Sequence, residues 1–306
     1  MRGLVTASSA LLVTLGGAAC DGPSDDATDL GAVARPIING TTTPSITPLS
    51  AGETLAIGFL ATPAGDPFCS GTVIRSNAVL TAQHCVKDKG AADLRFGIGT
   101  PGAPRALVRV TRIALADWES DIALLQLAND ATTVGGLRPI AENRAALDQD
   151  LVGEDVEIAG YAPIDGVSSL RFAVLQVTSV FDALTLDGFG QHGACQGDSG
   201  GPVLLTDGTG RAVVAGTAIG GNISCRDEVY YSRVDRVVEW LDVTLRTFAS
   251  DGETSGDAPG SGPGFDPWGC GQTSCGAGVG ESGITLAGVL VLLGLRARRA
   301  RRARQG

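Results

Sequence analysis

Aromatic side chains are scarce, at 5% of 306 residues, and histidine is scarcer still, with only His84 and His192. A core with so few rings has to be built from Val, Leu, Ile and Ala, and imidazole chemistry has two places to sit. No CxxC pair has the spacing of a zinc-ligand set, so a cysteine zinc site is not expected. No internal repeat is evident, and no apolar run reaches the ~20 residues that cross a bilayer comfortably. Basic charge is in deficit, with 23 Lys+Arg against 33 Asp+Glu and a net charge of −10. An acidic chain of this kind is not a nucleic-acid binder, and its charge reads as solubility. No metal or cofactor is expected.

Glycine is plentiful at 44 residues, and hydrophobic residues make up 43%. They fall into many short Val/Leu/Ile runs separated by turn clusters, which predicts an all-β body. Strands are expected at residues 54–60, 72–74, 79–81, 105–114, 122–127, 156–159, 172–180, 202–205, 213–218 and 229–234. Strands this short and this frequent indicate a sandwich or barrel rather than a βαβ fold. Near the end of the body, Val234, Val237, Val238, Leu241, Leu245 and Phe248 recur at helical spacing. They predict an amphipathic helix over residues 235–248 whose role is packing.

The two ends differ from the body. Arg2, the apolar run Leu4–Ala19 and a small-residue boundary read as an export signal over residues 1–19. Gly17-Ala18-Ala19-Cys20 resembles a bacterial lipoprotein box, in which Cys20 carries lipid, although the same residues suit an ordinary signal peptidase. Residues 20–36 are polar and turn-rich, a pro-segment. Residues 250–282 are rich in Gly, Ser, Asp and Pro, a linker. Residues 283–306 hold an apolar run followed by six arginines within Arg296–Arg304, which would keep that end cytoplasmic. With Cys20 assigned to the export signal, six of the seven cysteines remain, and in an exported chain an even set reads as disulfides.

Three local patterns occur in order along the body. The first is Cys69-Ser70-Gly71-Thr72-Val73-Ile74 with Leu80-Thr81-Ala82-Gln83-His84-Cys85. The second is Asp121-Ile122-Ala123-Leu124-Leu125, and the third is Cys195-Gln196-Gly197-Asp198-Ser199-Gly200-Gly201-Pro202. A serine hydroxyl is a weak nucleophile near neutral pH and needs a base within hydrogen-bond reach. Imidazole, with an unperturbed pKa near ~6.5, suits that task. Together the patterns resemble the trypsin/chymotrypsin family of serine proteases over residues 37–249.

The resemblance implies two six-stranded antiparallel β-barrels with a C-terminal helix, and a monomeric serine endopeptidase acting on proteins or peptides. It implies His84 as base and then acid, Asp121 as the group that fixes its tautomer, and Ser199 as nucleophile. The amides of Gly197 and Ser199 would form the oxyanion hole. It implies that Ile37, in Ile37-Ile38-Asn39-Gly40, carries a new ammonium after cleavage and pairs with Asp198, so that activity fades in alkali as the amine deprotonates. Pro36 precedes Ile37, and Arg-Pro is a poor bond for an activator that cuts after arginine; release there needs an unusual protease or trimming. The pairings implied are Cys69–Cys85 and Cys195–Cys225. The specificity pocket would be made by Gly193 at its floor with Gly221 and Val229 on its walls. Gly193 stands where trypsins have aspartate, and Val229 fills space, so a small or medium apolar P1 residue is expected. Ile219-Gly220-Gly221 replaces the family's Ser-Trp-Gly. His192 reads as a surface loop residue.

The tail, with Cys270 and Cys275 before the apolar run and the arginines, resembles the tripartite C-terminal surface-sorting signals of some Gram-negative bacteria. The two cysteines pair with each other or serve that signal. Membrane association is then expected through the N-terminal lipid or the tail, at the cell surface or outer envelope, or the body is secreted. A serine esterase and a catalytically weak binding protein of the same fold stand as alternatives.

Overall fold

A computed structural model describes residues 37–250 apart from residues 118, 165, 166 and 223. The export signal, Cys20, the pro-segment with Pro36, the linker beyond 250, Cys270, Cys275 and the arginine-rich tail lie outside the described residues. Within them no helix is long and apolar enough to cross a membrane.

The first barrel contains β1 (Ile57–Ala61), β2 (Pro67–Arg75), β3 (Ala78–Thr81), β4 (Arg95–Thr100), β5 (Ala103–Leu115) and β6 (Ala123–Leu127). It closes in the order β1-β2-β3-β6-β5-β4, with every pairing antiparallel. A short strand β7 (Ala141–Glu142) lies between the barrels, and a small hairpin joins β9 (Pro163–Ile164) to β10 (Val167–Ser168). The second barrel contains β8 (Asp155–Gly160), β11 (Arg171–Val180), β12 (Ala183–Asp187), β13 (Pro202–Thr206), β14 (Ala212–Gly221) and β15 (Val229–Arg233). Its order is β13-β8-β11-β12-β15-β14, and β13 pairs with β14 to close the ring; β7 adds in parallel to β14. The expected pair of six-stranded barrels is therefore the observed fold.

Each barrel has its own apolar core. Phe59, Leu80, Phe96, Ile98, Leu124 and Leu125 lie in the first, and Val156, Ile158, Leu175, Leu184, Val203 and Tyr231 in the second. Closure removes exposed strand edges, and strands whose outer face packs against the neighbouring barrel or the helix are buried throughout, as β1, β3 and β6 are. The C-terminal helix α2 runs over Val238–Ser250, preceded by a 3-10 turn at Val234–Arg236 rather than by the helix expected from 235. Leu241 and Phe248 bury on the first barrel, and buried Gln126 donates to the Phe248 carbonyl (2.9 Å) at the far end of that helix.

Three local expectations are corrected. Residues 54–60 are not one strand: Ala51–Thr54 form a helical turn, α1, begun by a reciprocal cap between Ser50 and Glu53. Strand β4 is absent from the expectations because Gly97 and Gly99 interrupt its pattern. Gly97 lies where the Phe59 ring crosses the strand, and a Cβ there would run into the ring. Strand β12 alternates as a half-buried strand should, but its five residues lie between two turns and carry no flanking signal strong enough to separate it from a loop.

A buried carboxylate ties the barrels to the helix. The Glu142 side chain is 1% exposed and accepts two hydrogen bonds from Arg75 (2.7 and 2.8 Å) and one from Arg144 (3.0 Å). Arg144 also reaches Asp242 on α2. Burial pushes the Glu142 carboxyl up, but the Arg75 and Arg144 bonds outweigh it and hold it below its ordinary value. A depressed carboxyl stabilises the fold above the unfolded pKa, and that contribution is lost as pH falls through the folded value. Glu142→Gln is therefore expected to cost about 1–3 kcal/mol at pH 7 in denaturant titrations. Its deficit relative to the unmodified protein should shrink below about pH 4.

Candidate active site

His84 and Asp121 come from the first barrel. His84 sits in the 3-10 turn Gln83–Cys85 that follows β3, and Asp121 lies two residues before β6, the antiparallel neighbour of β3. Strand pairing therefore brings the two residues together across 37 positions of sequence. The Asp121 carboxylate accepts from the His84 ring Nδ1 (2.6 Å) and from the His84 backbone amide (2.7 Å). A charge-assisted pair of this kind orients the ring and leaves Nε2 as its outward nitrogen. The side chains are 38% and 20% exposed, so the pair lies open to solvent.

Ser199 lies in the loop before β13 of the second barrel. The Cys69–Cys85 disulfide sits between it and His84: Cys85 Sγ is 3.7 Å from His84 Nε2 and 3.8 Å from the Ser199 carbonyl oxygen. Cys69, His84 and Cys85 also form a compact cluster of metal-ligand types. The two sulfurs are spent in the bond to each other, so this cluster offers no thiolate for a metal. The second expected disulfide, Cys195–Cys225, is also formed.

The loop around Ser199 is fixed almost atom by atom. Asp198 N donates to Cys195 O (3.0 Å), Gly200 N to Ala218 O (2.9 Å), and Gly201 N to Asp198 O (2.8 Å). Among the described residues the amides of Gly197 and Ser199 have no acceptor. Gly200 has φ of +78°, and a Cβ there would collide with Thr81 Oγ1 and the Ser70 carbonyl, so only glycine lets the loop approach the first barrel so closely.

Beneath the loop, Asp198 is 1% exposed and accepts amide hydrogen bonds from Cys195 (2.9 Å) and Ala162 (3.0 Å). Burial pushes its carboxyl up to about 7, against the pull of those two amides. In the unbroken chain the nitrogen of Ile37 is a peptide amide, and Asp198 has no ion-pair partner among the described residues. The segment that follows is nevertheless docked. Ile37 is buried in the second core, Ile38 N donates to Gly193 O (2.9 Å), and Asn39 Nδ2 donates to Gln191 O (2.7 Å). Thr41 bridges to Phe172, and Glu157, fully buried in β8, accepts from the amides of Ser45 (2.5 Å) and Thr47 (2.8 Å). His192, expected as a surface residue, is half-buried, with Nδ1 3.3 Å from the Ile38 carbonyl.

Gly193 and Cys225 are in close approach, and Gly221 pairs with Val229 across β14 and β15. Val229 is 1% exposed and packs into the second core. Gly193, Gly221 and Val229 contribute no charge to this region. The sequence reading missed Ser70, Thr81, Tyr161, Ala162 and Glu157. The signal available for Ser70 and Thr81 was a polar residue inside or closing a short apolar strand, where an unpaired hydroxyl would be costly.

Comparison with known proteins adds the following. The family model described as Trypsin matches residues 48–241. The chain is 28% identical over 203 residues to "Serine protease SP24D" of Anopheles gambiae, covering 59% of this chain and 73% of that protein. It is 27% identical over 213 residues to "Trypsin Blo t 3" of Blomia tropicalis, covering 57% and 76%. It is 27% identical over 214 residues to human "Cathepsin G", covering 62% and 81%.

The raised Asp198 carboxyl gives the unbroken chain a defined response to pH. The folded state holds this proton more tightly than the unfolded state does. The associated stability is present below about pH 4 and is lost as pH rises through about 7. Asp198→Asn should abolish that component, which amounts to about 3 kcal/mol between denaturant titrations at pH 5 and pH 8.

Proposed function

This chain belongs to the trypsin family of serine proteases and is a serine-type endopeptidase, and from that premise we propose that Ser199, His84 and Asp121 carry its chemistry. Ser199 Oγ attacks the scissile carbonyl carbon while His84 Nε2 takes the hydroxyl proton. The tetrahedral oxyanion is held by the amides of Gly197 and Ser199. Collapse expels the amine, which receives the proton from His84, and leaves an acyl-enzyme on Ser199. Water, deprotonated by His84, then releases the acid. Asp121 holds the proton of Nδ1, fixes the tautomer and stabilises the imidazolium. The observation that carries this reading is the 2.6 Å contact from His84 Nδ1 to Asp121, with the opposite ring nitrogen beside the sulfur that also touches Ser199. The amides of Gly197 and Ser199, without acceptors among the described residues while their own carbonyls are held by Ser70, support the oxyanion assignment.

The reading extends to the pocket, to activation and to location. Gly193, Gly221 and Val229 form a short, uncharged recess for a small or medium apolar P1 side chain. Cleavage before Ile37 supplies an ammonium that pairs with Asp198, whose buried carboxyl has no cation beside it among the described residues. The chain is exported and acts as a monomer on proteins or peptides, held at the cell surface by lipid on Cys20 or by the tail, or released. Mass spectrometry of the mature protein tests these ends. A first residue at Cys20 with added lipid mass, or at Ile37, is expected, and an unprocessed Met1 in exported material overturns the assignment.

Kinetics test the chemistry. Ser199→Ala is expected to lower kcat by roughly 10⁴–10⁶-fold and to abolish labelling by a fluorophosphonate probe. In a panel of P1-varied peptides, Ala and Val should lead. Val229→Gly should shift preference towards larger apolar residues by about tenfold or more. A strong preference for Arg or Lys would contradict the pocket assignment.

A further inference from the structure

Ser70 is fully buried in β2, and its groups are all engaged at the seam between the barrels. Its hydroxyl donates to the Gly197 carbonyl (2.9 Å) and accepts from the Tyr161 amide (2.9 Å). Its backbone amide donates to the Ser199 carbonyl (2.8 Å). Its own carbonyl accepts from the hydroxyl of Thr81 (2.7 Å), the last residue of β3, three positions before His84. One residue of the first barrel thus grips the carbonyls of two loop residues whose amides have no acceptor among the described residues. It is also tied to the strand from which the histidine turn springs.

The geometry of these bonds matters for the amides. Gly197 has φ of +101°, and glycine rotates with little steric resistance. A peptide plane held at one carbonyl cannot turn freely, and neither can the amide groups flanking it. The serine hydroxyl is therefore a lock on the Gly197–Asp198 peptide. The second lock, from the Ser70 amide to the Ser199 carbonyl, restrains the Ser199–Gly200 peptide, so that the peptides on both sides of the Asp198–Ser199 amide are held. No side chain of the loop supplies an equivalent hold on the Gly197 carbonyl among the described contacts.

We propose that Ser70 is a positioning residue for catalysis: its hydroxyl, bridging Tyr161 N and Gly197 O, keeps the Gly197 and Ser199 amides aimed at the oxyanion. The proposal rests on the assignment of those amides in the preceding subsection. Ser70 does not touch substrate. Its contribution is realised when negative charge develops on the carbonyl oxygen, so its loss should raise the barrier more than it weakens ground-state binding.

The test compares Ser70→Ala with the unmodified protein on a peptide anilide bearing alanine at P1, together with two inhibitors of the same peptide sequence. One is a boronic acid, which forms a tetrahedral adduct on the nucleophile; the other is an unreactive peptide amide. The expected result is a kcat about ten- to a hundredfold lower, with KM within about twofold, part of the cost of losing a full oxyanion donor. Boronate affinity should fall in parallel, while peptide-amide affinity stays unchanged. Unchanged kcat and boronate affinity would overturn the proposal, as would equal loss of affinity for both inhibitors, which marks a merely structural role. If Ser70→Ala does not fold, Ser70→Gly, which keeps the Ser70 amide on Ser199, carries the same comparison. Ser199→Ala, run alongside, separates the two failures. Retained turnover there would sink the nucleophile assignment, whereas its loss beside an unaffected Ser70→Ala would sink only the role given to Ser70.

Discussion

The backbone between Cys195 and Gly201 is held over a buried carboxylate. Asp198 cannot reach water, so its oxygens draw in the amides of Cys195 and Ala162, and the loop has to wrap around it. The carbonyls of Gly197 and Ser199 are taken by Ser70, and the amides of Gly200 and Asp198 by Ala218 and Cys195. A chain segment with so many glycines would otherwise sample many shapes, since each residue gains about 1–2 kcal/mol from backbone freedom when released. Buried hydrogen bonds that leave a polar group stranded if broken are what oppose that freedom.

The division of labour between the barrels follows from this. The first barrel supplies a stiff hairpin edge, β3 beside β6, that places an imidazole against a carboxylate. The second supplies the loop over Asp198. The disulfide Cys69–Cys85 and the residue next to it, Ser70, lie at the seam and contact both. Precision across the seam therefore depends on few groups, all buried and all short in reach. The more exposed His84–Asp121 pair can afford solvent contact because its two hydrogen bonds are direct and charge-assisted.

The amino-terminal segment shows the same principle at longer range. Residues 37–47 lie along the second barrel through Ile37 in the core, the Ile38–Gly193 and Thr41–Phe172 bridges, and Glu157, whose buried carboxylate collects backbone amides. Two contacts of this segment, Ile38 to Gly193 and Asn39 to Gln191, fall on the 190s loop. That loop is thereby tied to a stretch of chain more than a hundred residues away in sequence.

By itself the sequence determined the class of fold, most strand positions, the presence of a packing helix and the three motifs with their order. Those properties are local: alternation of apolar residues, turn chemistry and short runs of residue types in a fixed order. It left β4 unread, because the glycine that admits the Phe59 ring looks like a turn when the ring is not in view. It also gave no role to Ser70, Thr81 or Glu157, since a hydroxyl or carboxylate in a strand has no meaning until its partner is known. Only the tertiary structure decided which carbonyls Ser70 holds, which amides stay open and how far Asp198 is removed from water. Each depends on atoms distant in sequence meeting inside a low-dielectric seam, where an unmade hydrogen bond costs far more than it does in solvent.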